Sequence, residues 1–156
     1  VARIKEIMPT CTVSSDIIAG FCTETEQDHQ DTISIMQAAQ YDYSYMYFYS
    51  ERPGTLAAKR YEDDIPEAVK KRRLQEIVDV QWTLSNESNR RDVGKSFEVL
   101  IEGDSKKSDA EWMGRTSQNK VVVFPKLNHP LKKGDYVEIV IAGFTKGTLL
   151  GTLKTN

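Results

Sequence analysis

Ile17, Ile18, Ala19 and Phe21 follow one another with only Gly20 among them, and no polar residue separates them. Such a run is the pattern of a strand covered on both faces, and it predicts a strand over residues 12–21. Gly20 near its end allows close backbone approach. Polar positions then take over. Thr23 has N-cap chemistry, and Glu26 three residues on completes a capping box. Glu24, Glu26, Asp28 and Asp31 favour the positive end of a helix, and Ile33, Ile35, Met36 and Ala39 supply an apolar face. A helix is expected from about residue 24 to about residue 40. Four tyrosines, one phenylalanine and one methionine fill six of the seven positions from Tyr43 to Tyr49, which favours a second strand. Strand, helix, strand implies a parallel pair. Before them, residues 3–8 read as the tail of a helix that Pro9 ends.

The period changes downstream. Pro66 suits the first position of a long helix. Val69, Ile77, Val80 and Leu84 recur at helical spacing with Leu74 and Val78 beside them, and Lys70, Lys71, Arg72 and Arg73 lie in the same helix. The pattern ends near Asn89, and residues 90–92 read as a linker. From Val93 the texture is short and alternating. Phe97, Val99 and Ile101 form one apolar face, residues 120–124 an apolar run, and Val137, Ile139 and Ile141 another face; residues 148–153 close the chain. Five short strands punctuated by glycine in about sixty residues argue for a small OB-like β-barrel. The expected domains are therefore residues 1–91 and 92–156, α/β followed by all-β.

Composition narrows the function classes. The chain has 156 residues, room for one ordinary domain or two small ones, with 28% charged and 39% apolar residues. No apolar run approaches the roughly 18 residues of a membrane span, and no signal peptide opens the chain, so a cytoplasmic protein without membrane contact is expected. It starts at Val1 without an initiator methionine, as a fragment or processed chain would. Cys11 and Cys22 lack metal-ligand spacing and read as free thiols. His29 and His129 read as solvated surface residues. Net charge hides an asymmetry. Residues 1–92 carry 11 Lys and Arg against 16 Asp and Glu, giving −5, and residues 93–156 carry 10 against 7, giving +3. The two halves suit different partners.

Three segments carry candidate chemistry. The first is Asp16-x-Ile18-x-Gly20-x-x-x-Glu24. It places a strand end and a helix N-terminus where βα-loops build sites, although a plain capped βα turn has the same pattern. The second is Tyr49-Ser50-Glu51-Arg52-Pro53-Gly54-Thr55. There a guanidinium beside a tight turn can clamp a carboxylate or phosphate, or simply pair with Glu51. The third is Gly114-Arg115-Thr116-Ser117-Gln118-Asn119-Lys120, leading into the Val121-Val122-Val123-Phe124 run. Lys95, Lys106, Lys107, Lys126, Lys132, Lys133 and Lys146 add cations able to meet phosphate. Trp112 and Phe124 are either base-stacking platforms or core.

Taken together these segments resemble the radical S-adenosylmethionine (SAM) methylthiotransferase family over nearly the whole chain. The first two are similar to the last two βα units of its TIM-like barrel, and the third to its TRAM module. The family has Pro-Gly between the Phe and the Glu, where this chain has Cys22-Thr23. The resemblance implies SAM contacts from Ile18, Gly20, Phe21, Glu24, Tyr49 and Arg52, and RNA contacts from Lys95, Lys106, Lys107, Arg115, Asn119 and Lys120. It implies SAM and two 4Fe–4S clusters in the parent enzyme. The cluster cysteines lie upstream of anything present, so no metal ligand and no catalytic residue is expected here, and this chain alone is expected to be inactive. The implied partner is a tRNA anticodon stem-loop, with methylthiolation at C2 of a modified adenosine beside the anticodon. Strand edges left without neighbours are expected to favour self-association. Alternatives stay open: the sister enzyme acting on an aspartate of a ribosomal protein, a relative acting on threonylcarbamoyl-adenosine, and a non-enzymatic TRAM-type RNA-binding module. The +3 of residues 93–156 favours RNA over a basic protein.

Overall fold

A computed structural model describes residues 1–126 and 130–154. They form two compact units, Val1–Leu84 and Ser85–Asn156. His129 lies outside the described residues.

The first unit contains α1 (Ala2–Ile7), β1 (Ser14–Ala19), α2 (Glu26–Ala39), β2 (Tyr43–Phe48), α3 (Leu56–Arg60) and most of α4 (Glu67–Arg90). The strands pair in parallel from Ser14↔Tyr43 to Ala19↔Phe48. Ile17, Ala19, Met36, Ile77 and Leu84 form its core. The expectation of a strand covered on both faces fails. Ile18, Tyr45 and Tyr47 are 56%, 54% and 60% exposed, because only one face of this two-stranded sheet carries packed apolar side chains. The cap of α2 also moves. Thr25, not Thr23, is the N-cap, and Asp28 closes the capping box. Thr23 instead has φ 68, a left-handed conformation costly for a β-branched residue. It stands where the resembled family has glycine. The short helix α3, capped by the Thr55 hydroxyl, was not anticipated.

The second unit is a closed barrel of β3 (Ser96–Ser105), β4 (Ser108–Thr116), β5 (Val121–Pro125), β6 (Tyr136–Thr145) and β7 (Thr148–Leu153), in the order β3-β4-β5-β7-β6. Pairing is antiparallel except at the β5–β7 seam, where Val122↔Leu149 and Val123↔Leu150 run parallel. Alternation turns Val99, Ile101, Val122, Phe124, Ile139, Ile141 and Leu149 inward. Gly151 sits where strands nearly touch: a Cβ there would lie 2.8 Å from the Val140 carbonyl oxygen. The expected linker at 90–92 is not loose, since Arg90 ends α4 and Asp92 is buried. None of the described helices is long and apolar enough to cross a membrane.

Candidate functional site: a rim cleft and a barrel groove

In the first unit a cleft of about 630 Å³ opens along the sheet, lined by Ile18, Tyr47, Tyr49, Arg52, Thr55 and Leu74, among others. Its size suits a small organic ligand. Aromatic walls can cover a flat base. Arg52 is exposed and makes no ion pair among the described residues, including with Glu51, which leaves a guanidinium for a carboxylate. Burial, and then the Cys22 thiol beside it, raise the pKa of Tyr49. Gly20, Phe21 and Glu24 do not line the cleft. The amides of Gly20 and Phe21 both donate to the Glu24 carboxylate, the latter at 3.1 Å, so they are already engaged. The six residues predicted to contact SAM thus separate into Ile18, Tyr49 and Arg52 on the cleft wall and a Gly20–Phe21–Glu24 clamp off it.

In the second unit a groove of about 470 Å³ runs over the outer face of β4, β5 and β7. Its floor includes Met113, Val123 and Leu150, and Lys106, Lys107 and Arg115 stand around it. The turns joining β3 to β4 and β6 to β7 flank it. The Arg115 guanidinium is held by Glu102 at 3.2 Å and by the Asn119 side-chain oxygen at 3.0 Å. This fixes its plane at the groove edge. Asn119, with φ 61, makes the turn that allows that contact.

Residues 90–154 match the model of the TRAM domain. A tRNA-2-methylthio-N(6)-dimethylallyladenosine synthase from Amoebophilus asiaticus is 63% identical over 145 residues, 93% of this chain and 29% of that protein. Proteins of the same name from Christiangramia forsetii and Phocaeicola vulgatus are each 52% identical, over 96% and 97% of this chain and 31% and 33% of theirs. The chain is similar to these methylthiotransferases over 93 to 97% of its own length. It spans about a third of the length of the curated relatives it matches.

Within the TRAM barrel the predicted RNA contacts do not all face one way. Lys106 and Lys107 are exposed at the groove, Asn119 supports Arg115, and Lys95 is exposed but 3.8 Å from Asp92. Lys120 is turned inward, against expectation. Its ammonium bonds the Asp92 carboxylate and the Ser88 hydroxyl, with only 9% of the side chain exposed. Trp112 and Phe124 are not stacking platforms. Phe124 is wholly buried, and Trp112 packs on the same core beneath the Lys126 ammonium, 4.4 Å above its ring. Alternation inside a closed barrel decides both.

Cys11 is exposed and Cys22 buried, and neither belongs to the ligand-type grouping among the described residues, Glu26, His29 and Glu76. That grouping is occupied already. His29 Nε2 lies 2.7 Å from Glu76, and the Arg72 guanidinium bridges Glu26 at 2.6 Å and Glu76 at 2.7 Å. Bonding to Arg72 holds Glu26 down to about 2, and His29 chiefly lowers Glu76. His29, expected on the surface, is fully buried.

Sequence reasoning missed Lys70 and Arg73, both 4% exposed. A signal was present. Positions 70, 73, 77 and 84 fall on one helical stripe with the core residues Ile77 and Leu84.

Proposed function

We propose that this chain serves a tRNA methylthiotransferase that installs a methylthio group at C2 of a modified adenosine beside the anticodon; its relatives' names supply the 2-methylthio-adenosine product in tRNA, and the place beside the anticodon is part of the proposal. Its first unit, the end of a radical SAM barrel, supplies part of the SAM pocket, and its TRAM barrel holds the anticodon stem-loop. The observation that carries the RNA part is the groove over β4 and β5. OB-like barrels bind oligonucleotides on this face, between these same turns. Here an apolar floor can take a base, while Lys106, Lys107 and Arg115 can meet its phosphates.

For SAM, the cleft lined by Ile18, Tyr49 and Arg52 supports a site with a flat apolar wall and one guanidinium for the methionine carboxylate. When bound at an iron–sulfur cluster, SAM supplies radical chemistry. This chain's own residues do the holding: Arg52 orients a carboxylate, Ile18 and Tyr49 cover an apolar surface, and the barrel fixes the RNA.

Fluorescence anisotropy with an anticodon stem-loop tests the reading. Binding weakens steeply between 50 and 200 mM salt, and replacing Lys106, Lys107 and Arg115 by alanine lowers the slope by about 2 to 3. Affinity indifferent to those three residues would overturn the assigned face.

A further inference from the structure

We propose that Lys70 and Arg73 are positioning residues for the cofactor-facing rim. Two buried cations one turn apart on α4 lock the chain that follows β1 to the chain that follows β2. The inference rests on the SAM reading of the first unit and assigns roles to residues that reading does not contain.

Burying a lysine and an arginine is costly unless their protons find partners. Here the partners are the rim itself. The Lys70 ammonium donates to the Tyr49 carbonyl at 3.3 Å and to the Asp63 carboxylate, and it lies 5.2 Å from the centre of the Tyr49 ring. Its aliphatic stem runs against Gly20, and a Cβ at Gly20 would overlap it. One side chain therefore touches both segments. Arg73 takes the other side of the first segment. Its Nη1 donates to the Glu24 carbonyl at 2.9 Å and to the Glu24 carboxylate at 3.2 Å, and its Nη2 donates to Glu26 at 3.2 Å. The same Glu24 carboxylate accepts the amides of Gly20 and Phe21.

The contacts run without a gap from Arg73 through Glu24 to Gly20, and from Gly20 through Lys70 to Tyr49. Phe21 and Tyr49 then meet edge to face at 4.9 Å. An apolar residue at either position could pack α4 on the sheet. It could not fix the direction of two backbone carbonyls, which hydrogen bonds do. The cleft residues Ile18, Tyr49 and Arg52 are thus placed by Lys70 and Arg73, which do not line the cleft themselves, although Leu74 of the same helix does.

The test uses the full-length protein with its clusters reconstituted. It reads SAM affinity by equilibrium dialysis, iron content, anticodon stem-loop affinity and melting temperature. Arg73→Gln and Lys70→Met each weaken SAM binding about tenfold to a hundredfold, the size of effect expected when hydrogen bonds from a charged group are lost. Arg73→Lys keeps the charge but not the fork and recovers only part. Gly20→Ala, which crowds the Lys70 stem and strains a backbone at φ 69 without removing charge, weakens SAM binding as well. Iron content and RNA affinity stay at the wild-type value. Amide exchange quickens at residues 20–24 and 49–52 in the Arg73 and Lys70 variants. SAM affinity unchanged in variants whose rim amides exchange faster overturns the proposal. So does a loss that follows melting temperature alone, equal for Arg73→Lys and Arg73→Gln. A wild-type protein that binds no SAM would instead overturn the SAM reading beneath it.

Discussion

In the barrel every strand has two partners; in the first unit β1 and β2 have one each. The interiors differ in the same sense. The central cluster of the barrel is apolar, built from Phe124, Val99, Ile101 and their neighbours, and the buried polar groups of the second unit, Ser88, Asn89, Asp92, Ser105 and Thr116, stand outside that cluster. The first unit buries His29, Lys70, Arg73 and Gln81 beside its aliphatic core. Gln81 accepts from the Ser44 hydroxyl at 2.8 Å and donates to the Tyr41 carbonyl at 2.9 Å, spending a buried amide on holding the neighbourhood of β2. An apolar interior gains by volume and tolerates small shifts. A polar interior gains by direction and fixes loops. The barrel is built to persist and the first unit to place a rim.

The largest expected effect lies in the barrel. Phe124→Ala removes a fully buried ring and costs about 3–5 kcal/mol. Amide exchange should report lost protection at Val99 and Ile139 with β1 unaffected. Equal loss in β1 would mean that the two units melt as one body, and the contrast would fail. Lys120→Met takes from the buried Asp92 carboxylate its nearest cation, leaving Lys95 at 3.8 Å, and costs about 3 kcal/mol in urea unfolding, most of it recovered by adding Asp92→Leu. No recovery in the double variant would show that the pair's worth is not electrostatic.

The remaining tests bear on the first unit. Thr23→Gly relieves the φ of 68 and stabilises by about 1 kcal/mol in thermal melting; a loss would mean the side chain matters more than the strain. Replacing Ile18 and Tyr47 by threonine and lysine reduces self-association in light scattering, since they stand on the bare face of the sheet. Association that persists would locate the sticky surface elsewhere. The smallest effect is acid-dependent. Glu26 titrates near 2 when folded against a usual 4.5, chiefly through its bond to Arg72, so its contribution is present above 4.5 and lost as pH falls towards 2. Both partners are half exposed, and solvent screens the pair. Glu26→Gln should slightly flatten the melting profile between those two pH values, and an unchanged slope would deny the pair any role.

The barrel was legible because its strands alternate and the alternation is the core. Val137, Ile139 and Ile141 behave as their period says. What failed there were single residues whose polarity suggested solvent, such as Lys120, or whose aromaticity suggested a ligand, such as Trp112. In the first unit the element order was legible except for α3, and the caps were not. Thr23 and Thr25 have the same chemistry, and Glu24 decides between them by turning back to the amides of Gly20 and Phe21. The both-faces pattern of residues 17–21 describes what the strand is suited to, while Ile18 shows what covers it here. The inward turn of Lys70 and Arg73 was encoded in their spacing but masked by their charge.

The β5–β7 seam joins residues 27 apart in sequence through a parallel contact of two residue pairs, Val122 with Leu149 and Val123 with Leu150. The hairpins β3–β4 and β6–β7 are each closed by a turn and need almost no loop entropy. They can form on the microsecond scale, whereas the seam has to wait for both. Barrel closure, at this seam and at the β3–β6 pairing whose partners lie 36 to 44 residues apart, is then the late step of folding. A change confined to the seam should speed unfolding while leaving the folding rate nearly untouched.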